Sequence, residues 1–271
     1  RVHEDVDAAL RVGVFAQPKT FEAWVRFSNA NSAIQPDATR DIRGMAIKLL
    51  DVPGEKLSNE PGCERDQDLL LISTDTFLCA NIEIFDGMVR AIQGTVWNKL
   101  CFFAANPFVL LRIIRAFKVF ANPLQIRYFS STPYLLGEHA VKYCATPTLV
   151  SAQTPTPSGP NFLRDAMRAQ LDSGDAEFVI GVQRQTDPRR MPVEDATVRW
   201  DEAASPYLAV ATLRIPKQNF DTPERNRQGE DMRFSPWNCL PMHRPLGSLN
   251  RARRLVYHGI SELRRRVNGV V

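Results

Sequence analysis

FEAWVRFSNANSAIQPDATRDIRGMAIKLL, residues 21–50, is the stretch on which the fold turns. In its opening, Phe21, Ala23, Val25 and Phe27 alternate with Glu22, Arg26 and Ser28. That period of two is what a half-buried strand requires, because successive side chains leave the backbone on opposite faces. A loop rich in Asn, Ser and Pro follows, and Gly44–Leu50 (GMAIKLL) then reads as a second strand. Asp68–Thr74 (DLLLIST) reads as a third, with Pro53-Gly54 and Pro61-Gly62 as turn signals between the two. Strands joined by turns, with no helix between them, make the first part of the chain β-rich.

Working outward, Val2–Phe15 reads as an irregular or helical lead-in. From Ile82 to Phe120 the apolar residues recur at helical spacing, with a Pro-Phe start at Pro107 and a stop at Asn122-Pro123. Strand signals return at Gln125–Phe129, Ala140–Cys144, Phe178–Gln183, Thr197–Trp200 and Leu208–Ile215. Thr146–Pro160 is a turn-forming, low-complexity tract, too rich in proline for a regular element. A polar loop follows Phe220, and a last helix is expected from about Leu249 to Val267. Many strands, no regular βα alternation and helices in two blocks predict an α+β fold built round an antiparallel sheet or barrel. A single domain over 1–271 is expected, with a helical insertion at 82–122 and a closing helix at 248–268.

Composition removes several functions. With 44% apolar and 24% charged residues the chain is an ordinary globular one, large enough to enclose a cofactor. Five cysteines (Cys63, Cys79, Cys101, Cys144, Cys239) form no CxxC pair, so neither a disulfide framework nor a zinc site is indicated, and a reducing, cytoplasmic setting fits. The net charge of +4 owes much to Arg251, Arg253, Arg254, Arg264, Arg265 and Arg266. That cluster is a solvated basic face, a nucleic-acid surface or the surroundings of a buried anionic cofactor. No nucleic-acid module or interleaving of basic residues with aromatics supports the second. Cys101–Leu111 carries no charge but is too short for a span of roughly 20 residues. Its continuation places Arg112, Arg115 and Lys118 along one side of a helix. Such a basic amphipathic segment (106–121) is commonly a surface helix packed on a core, and it also suits a membrane surface or a lipid-like substrate.

Tyr257 lies four residues after Arg253, so the two are neighbours on one helical face. A tyrosine gives up its proton near about pH 10 and becomes an anionic ligand only where a ferric ion and a fixed positive charge favour it. Arg253 can be that charge.

Here the sequence resembles the haem-catalase superfamily, and within it the short catalase-related proteins without the long N-terminal arm and the C-terminal flavodoxin-like domain. VRFSN (Val25–Asn29) followed by RDIRGMAIKL (Arg40–Leu49) is similar to the catalase pattern VRFS…RDPRGFAVKF. YFSSTPYLLGEHAVKY (Tyr128–Tyr143), MPVEDATVRW (Met191–Trp200) and SPWN…HRPLGSLNRAR (Ser235–Arg253) resemble the small catalase-related proteins in particular. The resemblance implies an antiparallel barrel enclosing haem b, with Tyr257 as iron ligand in an RxxxY motif completed by Arg253, and Arg264 pairing with a propionate. Arg1-Val2-His3 resembles the distal Arg-Val-Val-His stretch with one residue fewer. It implies His3 as the distal histidine, Arg1 as a propionate partner and Val2 as a pocket residue of the catalase type rather than the threonine of the allene-oxide-synthase branch. Ser28 matches the serine that hydrogen-bonds the distal histidine, and Arg26 another propionate-binding arginine. Phe85 falls at the spacing of an aromatic that stacks on the macrocycle, or serves as plain core. Asp41 matches an acidic channel residue, or is a capping carboxylate.

One departure stands out. An ungapped register puts Ile72 where catalases carry a distal asparagine, with Ser73 beside it. Loss of an oriented polar donor weakens catalysis, and the pocket becomes more apolar. The expectation is therefore a haem peroxidase reducing hydroperoxides, organic ones above all, through a ferryl intermediate and with weak catalase activity. His3 would move the proton and a small-molecule donor would supply electrons. A fatty-acid hydroperoxide isomerase or lyase, and a non-enzymatic haem carrier or sensor, are the alternatives. A homodimer is expected by the same resemblance.

Overall fold

The computed structural model describes residues 1–31, 33–58, 62–150 and 159–269, the side chain of Arg265 excepted. Pro61 of the second turn signal and residues 151–158 of the proline-rich tract lie outside them. Eight strands form one sheet: β1 (Ala23–Asn29), β2 (Arg43–Leu49), β3 (Gln67–Ile72), β4 (Tyr128–Phe129), β5 (Tyr134–Leu136), β6 (His139–Pro147), β7 (Ala176–Arg184) and β8 (Leu208–Ile215). Their order is β1-β2-β3-β4-β6-β7-β8, with β5 hairpinned onto β6. Every pairing is antiparallel.

The sheet curls about its apolar face. Val25 and Phe27 of β1, Met45 and Ile47 of β2, Leu69 and Leu71 of β3, and Phe178, Ile180 and Val182 of β7 share one continuous core. Alternation explains why: every second residue on these strands is apolar, and curling brings those residues together out of water. Arg1–His3 runs beside β8, with Val2 bridged to Ala211. On its other side Val2 N–H donates to Lys19 O at 2.9 Å, so this short segment lies between the two end strands of the curl.

Among the described residues six α-helices accompany the sheet: α1 (Ile82–Gln93), α2 (Val96–Ala105), α3 (Pro107–Ala116), α4 (Phe162–Ser173), α5 (Pro223–Asp231) and α6 (Ser248–Val267). The long helical stretch read from the sequence is thus three helices. Pro107 starts α3 at its first turn and holds Asn106 at a non-helical φ of −129° and ψ of 59°, which ends α2. Asn81 and Thr95 cap α1 and α2 by accepting from Ile84 and Asn98 N–H.

Three expectations are corrected. Thr197–Trp200 is not a strand: the Asp195 carboxylate accepts from the Thr197 amide and hydroxyl, an Asx turn that bends the chain away from the sheet. The polar segment after Phe220 contains α5, capped by Thr222. The start of the expected strand at Gln125 belongs to a 3-10 turn, Pro123–Gln125, and only Tyr128 and Phe129 pair.

Candidate functional site

The face of β1–β3 opposite the core is read off the strand register. Ser28, Gly44, Ile72 and Phe129 form one cross-strand row, and Arg26, Ala46 and Leu70 the next. Because side chains in register share a face, the middle strand contributes only a hydrogen and a methyl group here. The result is a shallow trough with a polar rim at Ser28 and Arg26 and an apolar one at Ile72 and Leu70. A Cβ on Gly44 would lie 2.5 Å from Ser28 Oγ, so the serine side chain occupies the space that any larger residue would need.

Helix α6 supplies the second wall. On it Arg253 donates to the Tyr257 hydroxyl at 3.1 Å, with the guanidinium 5.1 Å from the phenol ring centre. Burial works against the Arg253 charge, yet Tyr257 and Tyr134 outweigh it and hold the guanidinium proton more firmly than usual. Arg253 is therefore a fixed cation at the phenol oxygen. Asn250, fully buried one turn earlier, anchors the helix. Its side-chain NH2 donates to Pro133 O and Leu246 O, its carbonyl oxygen accepts from Thr132 Oγ1 and Arg253, and its main-chain carbonyl accepts from the Trp237 indole.

Arg26 and Arg264 come together at the far end of α6. Both donate to Met232 O, and Arg26 also to Gly229 O at 3.3 Å. Burial, and then Arg264, lower the Arg26 pKa, while Glu230 and Tyr257 oppose the shift more weakly. Two guanidinium groups held on main-chain carbonyls, with Arg264 disfavouring the charge of Arg26, are a donor set that an anion could take. They line a cavity of about 2190 Å³ together with Arg1, Val2, His3 and Ser28. Ordinary small-molecule pockets run to about 300–1,000 Å³, so a large cofactor fits.

The structure thus joins Arg253, Tyr257, Arg26 and Arg264, and gives Arg1, Val2, His3 and Ser28 a common cavity with the last two. His3 bonds through Nε2 to Thr212 Oγ1 at 2.9 Å, not to Ser28. The cause is register: Arg1 and Thr212 exchange main-chain hydrogen bonds, and His3 N–H donates to Val210 O, so Thr212 is the diagonal neighbour of His3. Arg1 pairs with Glu4 at 3.3 Å in solvent. Val2 is 3% exposed within the barrel core. Phe85 lies 5.4 Å from Phe77 in the cluster between α1 and α3, where it is core. The Asp41 carboxylate accepts from Asn31 and Ile42 amides, so it organises its loop.

Sequence reasoning passed over Thr212, Asn250 and the Gly229–Met232 carbonyls. Only Asn250 carried a local signal, three residues before Arg253 at helical spacing. Among the described residues no group of three or more His, Cys, Asp or Glu is placed to hold a metal ion.

No protein-family model matches the chain. No curated protein matches it in sequence. Among solved structures it is similar to a fungal catalase (TM-score 0.72, 17% identity, covering 92% of this chain and 53% of that one). It is also similar to catalase A from Saccharomyces cerevisiae (0.73, 17%, 95% and 57%) and to a bacterial catalase (0.70, 16%, 97% and 54%). The chain spans about half the length of these structures, and at such identities the likeness is one of fold.

Proposed function

From the premise that this chain carries the fold of the haem catalases, we propose that it binds haem b and reduces hydroperoxides, organic ones in preference to hydrogen peroxide. The observation that carries the reading is the pairing of two features on one helix. A phenol sits against a fixed guanidinium at Arg253–Tyr257, and two turns on Arg264 meets Arg26 as an anion receptor. An iron porphyrin brings its own ring nitrogens, one open axial position and two carboxylates, which is the complement of that donor set.

In this reading Tyr257 would hold the iron, Arg253 would favour the anionic form of the phenol, Arg26 and Arg264 would take the propionates, and Gly44 and Ala46 would leave room beside them. Haem, when bound, supplies the redox chemistry that cleaves the O–O bond. The chain supplies a proton carrier and a binding surface. With Nε2 of His3 fixed by Thr212 Oγ1 at 2.9 Å, Nδ1 is the ring nitrogen left to take the hydroperoxide proton and return it to the departing oxygen. On the β3–β4 side of the trough, Leu70, Ile72 and Phe129 offer no polar side chain to orient hydrogen peroxide and give an alkyl hydroperoxide a surface to bury. A small electron donor and a second copy of the chain complete the proposed partners. A reducing setting, which the lack of any CxxC spacing suggests, completes the reading.

The same apolar wall favours one second reading, a fatty-acid hydroperoxide isomerase or lyase that needs no external donor. Haemin titration tests the first premise. The wild type is expected to give a Soret band with high-spin ferric tyrosinate features, and Tyr257→Phe to lose those features while keeping its far-ultraviolet circular dichroism. Arg264→Leu is expected to weaken haemin binding by roughly tenfold or more, the worth of a charge-assisted hydrogen bond. A wild type that takes up no haemin, or a Tyr257→Phe spectrum unchanged from it, overturns the assignment. Dye oxidation with cumene hydroperoxide then separates peroxidase from donor-independent consumption of a lipid hydroperoxide, and loss of either activity in His3→Ala separates an enzyme from a carrier.

A further inference from the structure

We propose that the α2–α3 hairpin is a docking surface for an anionic lipid membrane. Helix α2 buries none of its residues, although five of its ten are Val96, Trp97, Leu100, Phe102 and Phe103. Trp97 is 72% exposed, Val96 73% and Leu100 58%. On α3, Phe108 is 70% exposed and Ile114 57%. Scattered apolar side chains on a surface need no explanation, but a contiguous group on two adjoining helices marks a site of contact.

Charge decides what makes that contact. Between Gly87 and Gly137 the chain has no Asp or Glu, while Lys99, Arg112, Arg115 and Lys118 fall on or just beyond these two helices. Among the described residues none of the four is ion-paired, whereas Arg90 of α1 is matched by Asp86 at 2.7 Å. An apolar protein partner or a second copy of the chain would leave these cations facing neutral or like-charged surface. An anionic bilayer meets both requirements: its headgroups take the Lys and Arg side chains, and its acyl boundary takes Trp97, Leu100 and Phe108. Tryptophan is suited to that depth, with an apolar ring and one N–H to leave in the headgroup layer. Among the described residues no helix is long and apolar enough to cross a membrane, so the proposed contact is one of lying on the surface.

The inference does not rest on haem, because the hairpin's exposure and charge belong to the polypeptide. The test is co-sedimentation of the full chain, as purified, with vesicles of phosphatidylcholine alone and of phosphatidylcholine mixed equally with phosphatidylglycerol. Binding is expected to the mixed vesicles and to fall with added salt. The double variant Trp97→Ser/Phe108→Ser is expected to bind at least about tenfold more weakly. Lys99→Glu and Arg115→Glu are each expected to cost roughly fivefold or more. All of them should keep the wild-type circular dichroism and urea unfolding midpoint. Absence of binding to the anionic vesicles at low salt overturns the proposal, as does equal binding to neutral ones. A concentration-dependent dimer abolished by Trp97→Ser/Phe108→Ser overturns it in favour of self-association.

Discussion

Gly44 shows how a single position sets what the sheet can hold. Its missing side chain leaves room for Ser28 Oγ, which a Cβ would approach to 2.5 Å from within the same cross-strand row. Gly44→Ala is therefore expected to push Ser28 off its rotamer and cost about 1–3 kcal/mol by urea unfolding, and Ser28→Gly in the same chain should restore most of it. A Gly44→Ala chain as stable as the wild type would mean that Ser28 is free to move. Much at this scale was legible in the sequence. Arg253 and Tyr257 were paired by helical spacing, which is local, whereas Ser28 and Arg26 were singled out by the resemblance that VRFS carries. Thr212 was not, since its contact with His3 depends on the register of the first residues against β8, which no local pattern encodes. Phe85 and Asp41 each had a bland reading beside the functional one, and in the structure each has ordinary work: packing on Phe77 and tying a loop.

Among the elements, α6 has the most to position. Its first turn is fastened by Asn250 to Thr132, Pro133, Leu246 and Trp237, and its later turns present Tyr257 and Arg264 in succession. Replacing Asn250 by Ala removes its four side-chain hydrogen bonds in a buried setting, each worth about 1 kcal/mol, so a loss of roughly 3–4 kcal/mol in unfolding free energy is expected. Haemin affinity should drop with it, because Arg253 loses the partner that aims it. An Asn250→Ala protein of unchanged stability would mean that solvent takes over those bonds at no cost. The sequence foresaw α6, β1, β2 and β3, where amphipathic periods run long enough to read. It missed β5, whose three residues are too few to show a period, and α4, which follows directly on the proline-rich tract. Those gaps lie where neighbours in space, rather than neighbours in the chain, decide the conformation.

Across the whole molecule, two buried groups shape the response to acid. Burial pushes His243 down to about 4, with Val14 N–H donating to its Nε2 and Tyr143 beside its Nδ1. Below its ordinary 6.5 the unfolded chain binds a proton that the folded one refuses, so stability declines from pH 6.5 toward 4, by up to about 1.4 kcal/mol per unit. Burial pushes Asp68 the other way, from 3.8 up to about 6, against the pull of Lys48 at 2.7 Å. Between those two values the folded chain binds the extra proton, and acid stabilises. The two slopes oppose each other below pH 6, so the wild type is expected to lose little stability from pH 6 to 5. Asp68→Asn should uncover the full His243 slope, read as a urea midpoint that drops between the same two buffers; a midpoint that stays level would remove His243 from the account. Met232 carries a different implication. Its carbonyl is gripped by Arg26 of β1 and by Arg264 of α6, so the two guanidinium groups meet only once those elements have docked. A nascent chain still missing α6 has one half of the grip. An anion held by both groups would clasp β1 to α6 and so act as a fastener between two elements far apart in the chain.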